Sequence, residues 1–449
     1  MQMSRFVVSY KDVRPGEHVL YNVLEDRYAG VDDLTLRAVA RWAEGAAPAD
    51  ATELETQEIL FDDGFLVHAR EEDDARLRAH LEAASEGVPG MLYVTLMPTL
   101  QCNLACSYCF QKENPAFTKM SSPTEDATLE WILRQIDARA LRHLKIHYFG
   151  GEPTTRKDYC LRTAEVLSAS MSARGGTFEW QMTTNGVLLD VQFAKAMERF
   201  GKGQFKITLD GDKETHDKER VYRDGRGSFD VIFENVVALA EAGCKVRIGG
   251  NFFPDQAASF EKLLDRLEGS GAARKLQGVR FKPIVDTQQR GSGSCTNCSS
   301  NQETTTLVQL NKSIERRKMA PAVFQGELLE SMLGPCELHS KNNYTIDPEG
   351  NVYKCPAVAG LPDLAVTSVR SGAAEKIAPL VELRPWEQCG DCPYMPVCVG
   401  GCLGGQYLKT HRRDQVACKK DMFEQSFRET VIHRYLAEFS QDEAQTEAA

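Results

Sequence analysis

Three cysteines, Cys102, Cys106 and Cys109, stand at C-x3-C-x2-C spacing in the octet Cys102-Asn103-Leu104-Ala105-Cys106-Ser107-Tyr108-Cys109, and any fold open to this chain has to accommodate them. At that spacing the thiols can face one metal centre while giving it only three ligands. A structural zinc site closes with four protein ligands, and a [4Fe-4S] cluster held by cysteine normally takes four thiolates. The triplet therefore points to a centre that keeps one position for a group from outside the protein. Without that chemistry, the same octet reads as a zinc knuckle or as three cysteines of a core.

Composition limits the compartment and the partners. A chain of 449 residues suits two or three domains with a large core and needs no disulfide staples. Its 14 cysteines, with no secretory leader, are expected to be reduced, metal-bound thiols of a cytoplasmic protein. The start, MQMSRFVVSYKDVRPGE, has no long apolar run, and no stretch is apolar over the length that spans a bilayer, so no membrane is expected as a partner. A net charge of -11 argues against a nucleic-acid surface and leaves small molecules and peptides as ligands.

Residues 1–88 read as a small domain. Phe6 to Tyr10 and Val19 to Leu24 are strand candidates joined in a hairpin through Arg14-Pro15-Gly16. Asp32 or Asp33 caps a helix carrying Leu34, Ala38 and Trp42 on one face and stopping near Gly45. Leu54, Ile59 and Leu60 predict a second helix before Gly64-Phe65-Leu66-Val67. This winged-helix-like order resembles the peptide-recognition element at the front of many enzymes that mature ribosomally made peptides (RiPPs). Such elements take up a leader peptide as an extra strand beside the hairpin and dock its side chains against a helix. A purely structural cap is the alternative; a DNA-binding winged helix is a further reading, but Glu71-Glu72-Asp73-Asp74 with Glu53, Glu55 and Glu58 would repel phosphates. Arg76 to Gly90 is expected to be a connecting helix and linker.

Over residues 89–290 the pattern alternates between strands and helices. The strands are predicted at Met91 to Met97, His143 to Phe149, Phe178 to Met182, Phe205 to Leu209, Lys245 to Gly249 and Val279 to Ile284. Leu129, Ile132, Leu133 and Ile136 give one amphipathic helix between them, and Ile232, Val236 and Leu239 another. This is an α/β pattern suiting a partial (β/α)6 TIM-like barrel, in which the loops after the strands carry the chemistry. The cysteine triplet follows the first strand. Gly150-Gly151-Glu152-Pro153 follows the second, where glycines let the backbone come close to a ligand beside a carboxylate. Thr183-Thr184-Asn185-Gly186 ends the third, and Thr208-Leu209-Asp210-Gly211 ends the fourth, ahead of His216-Asp217-x-x-Arg220. Cys160 and Cys244 read as buried packing thiols, and Phe110 and Lys112 as residues that shape the loop after the triplet.

Residues 291–335 form a linking region. The polar stretch from Asp286 to Ser300 contains Cys295 and Cys298, and the segment up to Leu333 reads as helical. Residues 336–449 hold the second array: Cys336, Cys355, Cys389, Cys392, Cys398, Cys402 and Cys418, ending in a tail from Gln441 that is expected to fray. Seven thiols so spaced are not core usage, and paired zinc ribbons are the alternative to clusters.

The octet, with Tyr108 just before its third cysteine, resembles the signature of the radical S-adenosylmethionine (SAM) enzymes. The C-terminal array is similar, position by position, to their SPASM extension. The resemblance implies SAM as cofactor and three [4Fe-4S] clusters. Cys102, Cys106 and Cys109 would hold the first, with the amino and carboxylate groups of SAM on its fourth iron. Cys389, Cys392, Cys398 and Cys418 would hold an outer auxiliary cluster, and Cys336, Cys355 and Cys402 an inner one, whose fourth ligand Cys295 or Cys298 could supply. Gly150, Gly151 and Glu152 match the family's GGE element, with Glu152 toward the SAM amino group. Tyr108, Thr184, Asn185 and Thr208 would line SAM, and the Arg220 guanidinium suits its carboxylate.

The activity so implied is a RiPP maturase of the thioether-forming (sactipeptide or ranthipeptide) kind. It cleaves SAM to a 5′-deoxyadenosyl radical and installs a cross-link on a precursor peptide bearing a leader, drawing on a flavodoxin- or ferredoxin-type electron donor. An anaerobic sulfatase-maturing enzyme, which makes formylglycine, is the alternative. The resemblance to that group wants an Asp after the Cys355 position, where this chain has Pro356. A zinc-binding peptide scaffold without catalysis is the third reading. The residues that give or take protons are not named by the sequence.

Overall fold

The computed structural model describes residues 1–111, 118–284, 301–319, 336–371, 384–412 and 414–446. The chain opens with β1 (Gln2–Met3), β2 (Val7–Arg14), β3 (Glu17–Asn22) and β4 (Arg27–Asp32), followed by α1 (Asp33–Ala43), α2 (Ala51–Asp62), β5 (Leu66–Val67) and α3 (Arg70–Glu86). Strands β2, β3 and β4 form an antiparallel sheet with β3 in the middle, while β1 pairs with β5. The hairpin turns at Arg14-Pro15-Gly16 as expected, and β4 is an addition to it. Asp32 caps α1, accepting a hydrogen bond from Thr35 N at 2.8 Å. The stripe α1 buries starts one turn into the helix, at Ala38, Val39 and Trp42. Leu34 is therefore 72% exposed, where the pattern places it on the packed face with Ala38 and Trp42; in α2, Leu60 is buried while Leu54 and Ile59 are 46% and 53% exposed. The connecting helix α3 also begins earlier than predicted, at Arg70.

Six parallel strands follow in chain order: β6 (Met91–Leu96), β7 (His143–Tyr148), β8 (Thr177–Thr184), β9 (Lys202–Thr208), β10 (Val246–Phe252) and β11 (Gly278–Pro283). Between them run α4 (Ser122–Ala138), α5 (Lys157–Ala173), α6 (Val191–Glu198), α7 (Lys213–Glu219), α8 (Phe229–Glu241) and α9 (Ala257–Gly269). This is the partial barrel the alternation predicts. Every second strand residue is apolar and buried under the helices, among them Leu92, Val94, Ile146, Trp180, Phe205, Ile248 and Phe281, in one continuous core. Cys160 and Cys244 belong to it, as their expected packing role requires.

After β11, α10 (Asn301–Arg316) precedes three more strands, β12 (Asn343–Ile346), β13 (Asn351–Tyr353) and β14 (Thr367–Ser368). β12 adds to the free side of β6 in parallel, with Asn343 opposite Tyr93 and Ile346 opposite Leu96. The cysteine-rich region thus extends the barrel sheet to nine strands. The chain closes with α11 (Met395–Cys398), α12 (Leu403–Thr410) and α13 (Lys420–Thr446), a helix that carries on through much of the expected frayed tail. One face of the N-terminal sheet, through Tyr10, Val19, Tyr21 and Val23, packs on Tyr394, Phe423, Phe427 and Tyr435 of the C-terminal region. The two ends of the chain therefore share a core. Cys295, Cys298 and Lys112 lie outside the described residues. Among the described residues no helix is long and apolar enough to cross a membrane.

Candidate active site

The ends of β6, β7, β8 and β9 bring their loops together. Backbone bonds zip the loop after β7 to the segment entering the cysteine octet: Gly151 N donates to Thr99 O at 3.0 Å and Glu152 N to Gln101 O at 2.9 Å. That contact demands both glycines. A Cβ at Gly150 would sit 2.4 Å from Thr99 O, and one at Gly151 only 2.1 Å from Gln101 O. The close approach that these glycines permit includes one of backbone to backbone.

Glu152, 1% exposed, turns in behind the octet. Its Oε1 accepts from Thr154 N at 2.9 Å, Thr154 Oγ1 at 2.5 Å and Thr184 Oγ1 at 2.7 Å, and its Oε2 accepts from Asn185 N at 2.7 Å. Burial pushes the carboxyl above its ordinary range, while these donors favour the ionised form. Oε2, with one protein donor, keeps acceptor capacity for an ammonium. Asn185 reaches back with Nδ2 to Asn103 Oδ1 at 2.7 Å and to Cys102 Sγ at 3.7 Å. The elements around Glu152 and Asn185 therefore meet on the first cysteine.

The other flank of the octet is tied to the segment after α7, with Ala105 N bonding Val221 O at 2.8 Å and Ser107 N bonding Glu219 O at 2.9 Å. Here Tyr108 is a hub. Its hydroxyl donates to Asp210 and accepts from Arg220 Nη1 at 2.7 Å and Asn251 Nδ2 at 3.2 Å. Asn251 N donates to Asp210 Oδ1 at 2.6 Å, and the Arg220 and Asp210 charges lie 3.5 Å apart. His216, buried, accepts from Asp210 N at Nδ1 and pairs with Ser228 at Nε2, and burial holds its pKa well down, keeping it neutral.

Two buried donors at this site have no partner: Arg220 Nε and Asn103 Nδ2. A buried donor left open is costly, so both call for an acceptor that the described residues do not supply. The donor set fits the implied group. Twelve cysteines among the described residues are free thiols, and Cys102, Cys106 and Cys109 are close enough to perturb one another. Burial pushes Cys102 up to about 12, with Glu152 next in effect, and raises Cys106 against the pull of Arg220. A metal centre is what draws thiolates from such thiols. Among the described residues no three of His, Cys, Asp and Glu converge on a single metal ion, whereas a four-iron cluster takes its ligands from separate corners.

In the C-terminal array, Cys389, Cys392, Cys398 and Cys418 are mutual neighbours. Burial pushes the Cys398 thiol up to about 11, and the charges of Cys389, Cys392 and Cys418 all reach it. Cys402 caps α12, its Sγ accepting from Gly405 N at 3.3 Å, and Cys355 Sγ lies against Gly404 one residue away, 2.8 Å from where a Cβ there would stand. Cys336 is partly buried against the core that includes Cys355. Cys389, Cys392, Cys398 and Cys418 are therefore gathered, and Cys355 lies beside the start of the helix that Cys402 caps.

Residues 96–267 match the Radical SAM superfamily. The chain carries a radical SAM domain. It is an enzyme of that class, and the class implies SAM and a [4Fe-4S] cluster. Fe-coproporphyrin III synthase of Methanosarcina barkeri is 28% identical over 259 residues, covering 57% of this chain and 59% of that protein. Mycofactocin maturase MftC of Mycolicibacterium smegmatis is 24% identical over 351 residues, covering 73% of this chain and 82% of its own. Among solved structures, anSMEcpe with bound AdoMet and Cp18Cys peptide superposes with a TM-score of 0.61 at 17% identity, covering 77% of this chain and 99% of that one. Streptococcus suis SuiB bound to precursor peptide SuiA gives 0.53 at 15% identity, covering 93% and 99%. At these identities the structural likenesses concern the fold.

Within the radical SAM domain, the site gathers Tyr108, Gly150, Gly151, Glu152, Thr184, Asn185 and Arg220. Thr208 is buried at the end of β9 beside Gly249 and joins the site by position only. Three participants escaped the sequence reading. Asp210 lies two residues past Thr208 in the run that ends β9, and Asn103 sits inside the octet. Asn251 carries no motif, only its place on β10.

Proposed function

We propose that this radical SAM enzyme is a maturase that forms a cross-link, of thioether type, on a ribosomally made precursor peptide. The observation that carries the reading is the pair of open buried donors, Arg220 Nε and Asn103 Nδ2, set beside three free thiols and the spare acceptor of Glu152. In this reading Cys102, Cys106 and Cys109 hold the cluster, Arg220 and Asn103 orient the SAM carboxylate, and Glu152 Oε2 takes its ammonium. Bound there, the cluster and SAM supply a reductively generated radical that abstracts a hydrogen atom from the substrate. Tyr108 and Asp210 keep the Arg220 fork from swinging, and the zipped glycine loop fixes the cysteine octet against Glu152. Cys389, Cys392, Cys398 and Cys418 hold one auxiliary cluster, and Cys336, Cys355 and Cys402 the other, giving three in all. A flavodoxin- or ferredoxin-type protein is the electron donor.

The N-terminal sheet supports a peptide as substrate, because β2 and β4 each present an edge to which a leader segment can add. The likeness to anSMEcpe with its bound peptide and to SuiB bound to a precursor peptide supports it too. Pro356 after Cys355 and the sheet built into the C-terminal core weigh against a sulfatase-maturing enzyme.

Anaerobic reconstitution tests the reading: about twelve irons per chain are expected, as three [4Fe-4S] clusters require, with 5′-deoxyadenosine formed from SAM under dithionite. A colourless zinc protein, or a protein whose SAM cleavage survives Cys102→Ala, refutes it.

A further inference from the structure

The alternate strand residues that turn away from the helices line the concave face of the barrel sheet, and that face is cationic. Lys145 of β7, Lys206 of β9, Arg247 of β10, and Arg280 and Lys282 of β11 all lie on it. Lys206 pairs in register with Arg247, while the Arg280 and Lys282 partners are Gly249 and Asn251 of the same face. Glu179, the register partner of Lys145, is the carboxylate among them. Among the described residues no carboxylate comes within ion-pair distance of Lys145, Lys206, Arg247 or Lys282, and Arg247 Nε is buried with no partner at all. Yet water reaches the cluster, since Arg280 and Lys282 are exposed and the other three half-buried. Burial lowers Lys206 to about 8, and the next causes are the charges of Lys282, Arg280 and Arg247, so the cations repel one another across the face. Like charges gathered on a concave surface raise the free energy of the empty face, and an anion bound there relieves it.

The position of this face matters for chemistry. Asn251, beside Lys282, binds Asp210 and Tyr108 at the candidate SAM site. Burial and the charge of Arg280 pull Lys282 down, against the charges of Asp210 and of Cys402 in the C-terminal array. The cationic face thus adjoins the candidate SAM site, and its Lys282 lies within reach of the charge of a C-terminal cysteine.

We propose that the concave face is a carboxylate-binding site for the substrate, selecting a peptide with Asp or Glu residues flanking the position that reacts. This deepens the maturase reading and rests on it. The competing role is counter-charge for the clusters alone, which would leave the face indifferent to substrate acids.

The test is binding to the reconstituted enzyme under anaerobic conditions, which needs no turnover and so stands apart from the SAM-cleavage test above. Two fluorescein-labelled peptides of one sequence, carrying four Glu or four Gln, are compared by anisotropy. The Glu peptide is expected to bind roughly tenfold or more tightly at moderate salt, from several screened charge pairs. The double change Lys206→Gln with Lys282→Gln should cut the preference to below about threefold. Lys206→Arg with Lys282→Arg should retain it, and iron content should match wild type in both as a check on folding. Equal affinity for the two peptides, including no measurable binding of either, overturns the proposal, as does a preference that survives the Gln pair. Displacement of the Glu peptide by butane-1,2,3,4-tetracarboxylate at equal affinity would assign the site to a small polyacid and overturn the peptide assignment.

Discussion

Changing Tyr108 to Phe tests the hub at the centre of the site. The ring stays in place and no cavity opens, so the change isolates one hydroxyl. That hydroxyl is buried and serves Asp210, Arg220 and Asn251. Two of its three bonds engage charged groups, each worth roughly 1.5–3 kcal/mol. Part of the loss is recovered, because the Arg220 and Asp210 groups, 3.5 Å apart, can close into a direct ion pair. A net cost of about 2–3 kcal/mol remains. If Arg220 orients SAM, the guanidinium pulled toward Asp210 presents Nε differently, and most of that cost appears in cofactor binding. A rise in the SAM Kd of roughly ten- to a hundredfold is expected, since each tenfold is about 1.4 kcal/mol. Equilibrium dialysis of SAM against the reconstituted, oxygen-protected enzyme reads it directly. Asp210→Asn supplies the second leg of a cycle: the double variant should lose less than the sum of the singles by about 1 kcal/mol or more. A Kd within twofold of wild type for Tyr108→Phe, or strictly additive losses, would refute the reasoning.

Other expectations follow from the same geometry. Gly151→Ala places a Cβ 2.1 Å from Gln101 O and should destabilise by more than about 2 kcal/mol, while Gly269→Ala, with nothing near, should be neutral or better, compared by thermal unfolding. Lys206, lowered to about 8 from 10.5, keeps its proton in the unfolded chain but gives it up in the folded one between those values. Stability tied to this lysine therefore rises with pH across that window, and below it the full cost of the half-buried charge is felt. Lys206→Met should be more stable than wild type at pH 7 by at most about 3 kcal/mol and lose that advantage near pH 11, as denaturant midpoints at the two pH values will show. Cys398→Ala should lower iron content by about four atoms per chain, and Cys160→Ala should leave it unchanged, in a colorimetric iron assay. Phe427→Ala opens a cavity in the core shared by both ends of the chain, about 3–5 kcal/mol, and limited trypsinolysis should then cut faster within residues 1–88.

How much of this could be read from the chain depended on whether the signal was local. Strand and helix periods reported the six βα units to within a few residues, because apolar alternation under a layer of helices is written in consecutive positions. Spacing likewise nominated Cys102, Cys106 and Cys109, and Cys389, Cys392, Cys398 and Cys418, which lie near one another in the fold, since cysteines at these densities have few uses. Polar partners were harder to see. Asn251 becomes part of the site only because β10 lies next to β9, which sets its amide on Asp210. The glycines after β7 stand out in the sequence, but their close contact with backbone one strand away is visible only in the fold.

By itself, then, the sequence determined the parallel α/β core, the rim on which the loops converge, and the two sets of thiols, because each follows from patterns within one element or one loop. The tertiary structure alone decided that the cysteine-rich region adds three strands to the barrel sheet. It alone decided that the last helix closes over the first sheet, and that cations from four separate strands fall on one concave face. Those outcomes depend on register and packing between segments far apart in the chain, where no single stretch records which partner it will meet.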